Sequence, residues 1–220
     1  MFASISATIA EALLPLKRGW DAKESILEMK NGGGRQWKQM EWIGWYFEYK
    51  CEKLLTHLFE RFQYPKYGNT PFDGLYHIPW DFKSHVSGDL TSGKRKPSNI
   101  VINDAEACEK AIKEYGEFGV IIACGLAKYN DEDRSFQEWH TNLKGGLSNY
   151  EILRVARTSN SRLRKTFFEV EEIRFIQITE SLLLSCDSFQ KNFRNADGSP
   201  RREKVMLTWD QAIKNTRFQI

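Results

Sequence analysis

Ten consecutive residues near the middle of the chain are almost entirely apolar. They run from Phe118 to Ala127 and read FGVIIACGLA. A strand that is apolar along its whole length has to be buried on both faces, as happens when helices cover the two sides of a sheet. This segment therefore predicts the central strand of an α/β protein.

The residues before this strand predict one long helix and two short strands. The helix is expected from about Trp37 to Phe62, where apolar residues recur at steps of three and four, and a break follows at Tyr64-Pro65. The strands are expected at Tyr67–Phe72 and Leu75–Ser84, with the turn signal Asp73-Gly74 between them.

A third strand is expected at Asn99–Asn103, followed by a helix that Asp104 caps and that ends near Tyr115. The order is thus helix, strand, strand, strand, helix, strand, which predicts a central mixed β-sheet flanked by helices. The other predictions are a loop over 128–148, a strand within Thr166–Ile178, and helices near Ser181 and over Thr208–Lys214.

The composition is that of a globular protein. Hydrophobic residues make up 41% and charged residues 28% of the 220 residues, which excludes a disordered, collagenous or membrane-spanning chain and fits a single domain over residues 1–220. The apolar run within residues 1–23 has about ten residues, too few to cross a bilayer, and suits an amphipathic helix. We therefore expect a cytoplasmic protein with no membrane partner. Its four cysteines form no C-x-x-C pair and are expected as buried, reduced thiols.

Basic residues are clustered although the net charge is only +3. One cluster is the acid-free stretch 154–165, a second lies in the polar loop Ser87–Ser98, and a third is Arg201 with Arg202. The segment after the glycines at 32–34 is also rich in residue types that contact DNA. Such patches favour a polyanion as partner, although each alone is also compatible with an ordinary solvated surface. The predicted DNA contacts are Arg35, Gln36, Lys38, Gln39, Lys94, Arg95, Lys96, Arg154, Arg157, Ser159, Asn160, Arg162, Arg164 and Lys165.

The segment from Asp73 to Lys83 carries the sharpest chemical signal. If residues 80–84 are extended, Asp81 and Lys83 project from one face and Phe82 from the other. Asp73 can approach Asp81 from the turn, and a divalent cation would relieve the repulsion between the two carboxylates. Oxygen ligands with room for water suit Mg²⁺, which can polarise a phosphate and lower the pKa of a bound water. The alternative is a surface ion pair between Asp81 and Lys83.

Asp73 followed by Asp81-Phe82-Lys83, with a helix before and strand, helix and strand after, resembles the PD-(D/E)XK nuclease superfamily, and within it a type II restriction endonuclease. The resemblance covers about residues 37–127, the catalytic core, and leaves 128–220 for DNA recognition and dimerisation. Where the family name has proline, this chain has Phe72.

The resemblance implies a Mg²⁺-dependent, sequence-specific endonuclease that hydrolyses double-stranded DNA. Asp73, Asp81 and the main-chain carbonyl of Phe82 would bind the metal, and Lys83 would lie near the attacking water. Members of the family often add a glutamate in a pattern like Gly-x-x-x-Glu, which Gly44 to Glu48 matches. Glu41 and Glu52 compete with Glu48 for this role.

A homodimer from a prokaryotic restriction-modification system is the expected assembly, because two symmetric sites cut both strands of a palindrome. No nucleotide cofactor is expected, since the chain has no phosphate-binding Gly-Lys-Ser/Thr motif. Two other functions stay open. One is a nuclease of the same superfamily that acts in DNA repair or on modified DNA, and the other is a DNA-binding module without catalysis.

Overall fold

A computed structural model shows where these elements lie. It describes residues 1–61, 71–147, 151–152, 163–191, 199–200 and 202–220. The helices are α1 (Phe2–Leu13), α2 (Ala22–Asn31), α3 (Trp42–Leu55), α4 (Ala105–Tyr115), α5 (Ser135–Lys144), α6 (Glu180–Leu184) and α7 (Trp209–Lys214). The strands are β1 (Gly19–Asp21), β2 (Gly74–Tyr76), β3 (Ile78–Asp89), β4 (Ile100–Asp104), β5 (Glu117–Lys128), β6 (Phe167–Thr179), β7 (Ser188–Gln190), β8 (Lys204–Leu207) and β9 (Thr216–Gln219).

The main sheet of the described residues has six strands in the order β1-β6-β5-β3-β2, with β9 also paired to β6. β3 and β5 are parallel, whereas the other neighbours are antiparallel, so the sheet is mixed. α3 packs on β3, and α4 packs on β5. The predicted α/β class, with a central mixed sheet flanked by helices, is confirmed.

The central strand β5 is buried on both faces, as its apolar run predicted. Ile121 and Ala123 belong to a core shared with α1, α2 and α3, whereas Val120 and Ile122 belong to a second core shared with α4 and β8. Successive side chains of a strand point to opposite faces, so an unbroken apolar run serves two cores at once.

Helix α3 is real but shorter than predicted. Ile43, Phe47 and Cys51 are buried, in agreement with the apolar stripe. The helix begins at Trp42 rather than Trp37 and ends at Leu55 rather than Phe62. The prediction was too long at both ends because the flanking turns also carry apolar residues that pack on the same core, which continue the helical spacing.

Turns replace both predicted ends of α3. Before the helix, the Gln39 N–H donates to the Gln36 carbonyl at 2.9 Å, and after it the Leu58 N–H donates to the Leu55 carbonyl at 2.9 Å. The predicted break at Tyr64-Pro65 lies outside the described residues. So do residues 67–70 of the strand predicted at Tyr67–Phe72.

The turn between β2 and β3 lies at His77, not at Asp73-Gly74. Tyr76 pairs directly with Ile78, and His77 has a φ of 61°, in the left-handed region. Asp73-Gly74 belongs to the paired part of the hairpin. A dipeptide ending in glycine is the commoner turn signal, whereas a non-glycine residue with positive φ is uncommon.

Strand β4 confirms the predicted strand at Asn99–Asn103 but lies in a second sheet, of order β4-β8-β7. Ile100 pairs with Leu207 of β8, far away in sequence. The predicted order of elements along the chain is therefore present, but the three predicted strands do not share one sheet. Nothing in the sequence of Asn99–Asn103 itself indicates whether this strand joins the main sheet or pairs with β8.

Most of the remaining elements match the sequence. The Asp104 carboxylate accepts a hydrogen bond from the Ala107 N–H at 2.9 Å and caps α4 as predicted, and β6, α6 and α7 lie where they were expected. Helix α5 was missed in a segment predicted as a loop. It begins where the buried Asp131 carboxylate accepts a hydrogen bond from the Phe136 N–H at 2.9 Å.

The start of the chain forms the amphipathic helix α1, with Ile5, Ile9 and Leu13 buried. All four cysteines are buried and unpaired, as predicted. Within the described ranges, no helix combines the length and the apolar character needed to cross a membrane.

Candidate active site

Strand β3 separates its core residue from its charged residues. Phe82 packs edge-on against Phe47 of α3, with ring centroids 6.4 Å apart. Asp81 and Lys83 form an ion pair, with Lys83 Nζ 2.5 Å from Asp81 Oδ2. The predicted alternation along this segment is therefore correct, and it places a carboxylate beside an ammonium group on one face of the strand.

The pairing of β2 with β3 brings Asp73 to this pair. Gly74 pairs with Trp80, so the same register places Asp73 opposite Asp81. Asp73 Oδ2 accepts a hydrogen bond from the Phe82 N–H at 2.6 Å. The N–H and C=O groups of one strand residue point to the same side, so the Phe82 carbonyl also faces this edge. The carboxylates of Asp73 and Asp81 and the carbonyl of Phe82 therefore lie close together where β2 pairs with β3.

Asp81 is the most enclosed group of the site, with only 4% of its side chain exposed. Apart from the Lys83 ion pair, its Oδ2 has no aligned hydrogen-bond donor among the described residues. Burial, opposed by Lys83 and assisted by the negative charge of Asp73, raises the pKa of Asp81 well above its usual range. Although burial lowers the pKa of Lys83, Asp81 and Asp73 outweigh it and leave that pKa raised, so Lys83 is a cation at neutral pH.

Helix α3 adds Glu48. The helix approaches β3 closely at Gly44, where an added Cβ would lie 3.4 Å from Ser84 Oγ, and Glu48 follows one turn later. Burial together with the charge of Asp73 raises the pKa of Glu48 to about 7, against the lowering effects of Arg61 and Lys83. Glu48 therefore interacts electrostatically with two predicted members of the site, Asp73 and Lys83.

The two competing glutamates have other partners. Glu41 lies at the start of α3 and pairs with Lys165, whereas Glu52 pairs with Arg61 at 2.8 Å. Arg61 also lies 3.4 Å from Glu48 Oε1. Sequence reasoning missed Arg61, because it extended α3 through Phe62 and so gave Arg61 no reason to turn back toward Glu48.

The oxygen atoms that these residues offer as ligands show whether the site suits Mg²⁺. In the part of the chain that the structure describes, no three Asp, Glu, His or Cys side chains converge as a complete ligand set. Asp73 and Asp81 do lie side by side, and the buried Asp81 Oδ2 has Lys83 Nζ at 2.5 Å but no aligned hydrogen-bond donor among the residues that the structure describes. Mg²⁺ is commonly held by one or two carboxylates, with water and substrate phosphate completing the octahedron. The residues present fit such an ion.

The predicted DNA-contacting loop at 94–96 folds back on the end of β3. The Asp89 N–H donates to the Lys94 carbonyl at 2.9 Å, and the Lys96 N–H donates to the Ser87 carbonyl at 2.8 Å. All three basic side chains are exposed. Arg95 is bound by both carboxylate oxygens of Glu171, which partly neutralises it.

Among the other predicted DNA contacts, Lys165 lies just before β6, at the end of the main sheet where β3 finishes, and residues 35–39 lie just before α3. Arg35, Lys38 and Gln39 are exposed. Lys38 Nζ lies 5.3 Å from the centre of the Trp37 ring. Gln36 accepts a hydrogen bond from Gln39 at 3.1 Å. Trp42 Nε1 donates to the Lys165 carbonyl at 2.7 Å and so ties this segment to α3.

Only part of the acid-free stretch can be located. Arg164 and Lys165 are described and half-buried. The other predicted contacts lie outside the described residues, namely Arg154, Arg157, Ser159, Asn160 and Arg162.

No protein-family model, no curated protein sequence and no solved structure matches the chain.

Proposed function

We propose that the protein is a Mg²⁺-dependent endonuclease for double-stranded DNA, of the type II restriction class and with a PD-(D/E)XK core. The observation that carries the proposal is that Asp73, Asp81 and Lys83 lie close together where β2 pairs with β3. A pair of carboxylates, one of them buried, whose charge a single lysine compensates only in part is costly to a fold unless it serves a ligand.

Each residue has a role in this reaction. Asp73, Asp81 and the Phe82 carbonyl would hold Mg²⁺, and Glu48 would add a further carboxylate to the site. When bound, the ion would lower the pKa of a water and polarise the scissile phosphate. Lys83 stays protonated, so it would orient the attacking water rather than remove its proton. Hydrolysis adds the water oxygen to phosphorus, breaks one P–O bond and leaves a proton on the released sugar oxygen.

The basic residues at one end of the main sheet would hold the duplex. Phosphate contacts by lysine and arginine fix the position of DNA and make its binding sensitive to salt. We further propose that the protein acts as a homodimer, because one site cuts one strand and a two-fold axis presents a second site to the other strand. Residues 128–220 would provide recognition and dimer contacts.

The direct test is incubation of the purified protein with plasmid DNA and Mg²⁺. Discrete fragments, lost when EDTA replaces Mg²⁺, are expected. Nicks or a smear would favour a repair-type nuclease of the same superfamily. Tight binding without cleavage of several unrelated plasmids would contradict the nuclease proposal and favour a DNA-binding module.

The metal-free protein is expected to lose stability as the pH rises from about 5 to about 8. The pKa of Glu48 is raised to about 7 in the folded protein, so between its ordinary value and 7 the folded state keeps a proton that the unfolded state releases. Stability then falls with rising pH. With the Glu48 side chain 25% exposed, we expect a loss of about 1–2 kcal/mol, below what the full shift implies.

Urea denaturation at pH 5.5 and pH 8 measures this effect, with Glu48→Gln as the matched variant. The glutamine keeps the shape of the side chain and removes its titration, so the decrease should shrink. Saturating Mg²⁺ should restore stability at pH 8. The same decrease in both proteins would show that Glu48 does not cause it.

A further inference from the structure

Arg61 is the second positive charge of the candidate active site. It follows α3 and lies between two carboxylates of that helix, 3.4 Å from Glu48 Oε1 and 2.8 Å from Glu52 Oε2. With Asp73 and Phe82 it also lines a cavity of about 60 Å³ beside the site. Only 29% of its side chain is exposed, so it is held in this place by its surroundings.

The formal charges of the site show what Arg61 does. With all four carboxyl groups ionised, as metal binding requires, Glu48, Glu52, Asp73 and Asp81 carry four negative charges, and Lys83 and Arg61 carry two positive charges. Two negative charges remain, which one divalent ion would neutralise. Without Arg61, three negative charges would remain, and Glu48 would lose the cation that holds its carboxylate.

We propose that Arg61 takes the place of a second metal ion, so that a single divalent ion completes the site. This inference rests on the proposed nuclease function and specifies the metal content of its site. Arg61 is a positioning residue, which keeps Glu48 beside the Asp73–Asp81 pair. A guanidinium group suits this role because its rigid fork of N–H donors reaches two carboxylates at once, whereas an ammonium is a point charge.

Arg61 and a divalent ion are attracted by the same carboxylates and repel each other. Removing the charge of Arg61 should therefore tighten metal binding to the DNA-free protein by roughly tenfold. Cleavage should become slower at saturating metal, because Glu48 is no longer held. Tighter metal binding combined with slower cleavage is not expected from general damage to the fold, which would weaken both.

Calorimetric titration of the DNA-free protein with Mn²⁺ tests this. The wild type should bind one Mn²⁺ per chain, Arg61→Gln should bind it roughly tenfold more tightly, and Arg61→Lys should lie near the wild type. Lys50→Gln is the matched control, since it removes a positive charge from α3 whose partner is Glu28 at 2.7 Å. This control should not change Mn²⁺ affinity.

Two results would overturn the inference: two Mn²⁺ ions per wild-type chain, or equal affinity in the wild type and Arg61→Gln. If Arg61→Gln does not fold, Glu52→Gln provides the test. The Glu52 side chain is 43% exposed, so this substitution should not disturb folding. It leaves Arg61 to Glu48 alone and should weaken Mn²⁺ binding several-fold, and unchanged binding would again overturn the inference. A wild type that neither binds Mn²⁺ nor cuts DNA would instead remove the proposed function.

Discussion

Asp81→Asn and Lys83→Ala are each expected to abolish DNA cleavage, lowering kcat by at least about a thousandfold. The asparagine preserves the shape of Asp81 but removes the charge that faces Asp73 and Lys83. Lys83→Ala removes the ammonium group 2.5 Å from Asp81 Oδ2, and with it the group that would orient the attacking water. Plasmid cleavage at saturating Mg²⁺ measures both effects.

DNA binding should survive in these variants, because the predicted DNA contacts of the loop at residues 94–96 lie beyond the other end of β3. Gel-shift titrations with Ca²⁺ in place of Mg²⁺ would measure it. Asp89→Asn is the matched control on the same strand, since Asp89 bonds the Ser92 N–H at 2.6 Å and does not contact the site. Cleavage at the wild-type rate by Asp81→Asn would remove the catalytic assignment.

Gly125→Ala should destabilise the protein by about 3 kcal/mol, near the upper end of the usual range for overpacking. A Cβ at Gly125 would lie 1.8 Å from the Glu169 carbonyl oxygen of the neighbouring strand. The residue lies where the register of β5 and β6 shifts, between Cys124 and Gly125. Because the obstacle is backbone, the two central strands would have to separate, and no side-chain rotation relieves the contact.

Urea denaturation of the metal-free protein measures this loss. Gly44→Ala is the comparison, because its Cβ would lie at an ordinary 3.4 Å from Ser84 Oγ. In the interior of α3, alanine should raise stability by up to about 1 kcal/mol, through its higher helix propensity. A Gly125→Ala protein as stable as the wild type would mean that β5 and β6 do not approach this closely.

Local sequence patterns were sufficient for the elements that are set within one segment. The apolar run of β5 requires burial on two faces, and Asp104 caps α4 through its own side chain. The alternation of Asp81, Phe82 and Lys83 follows from the pleat of a strand. Each of these depends on neighbours a few residues away, which the sequence contains.

Contacts between distant segments decided the rest of the site. The sequence predicted that Asp73 would approach Asp81 from a turn at Asp73-Gly74, whereas the observed turn at His77 brings Asp73 opposite Asp81 through the register of β2 and β3. The path that returns Arg61 to Glu48 depends on where α3 ends, which packing and turn hydrogen bonds determine. β4 pairs with β8 because the partner of a strand depends on contacts between segments that are far apart in the sequence. The sequence by itself therefore determined the fold class and the charged face of β3, whereas only the tertiary structure decided which carboxylates and cations meet there, because strand register and helix ends are fixed by long-range packing.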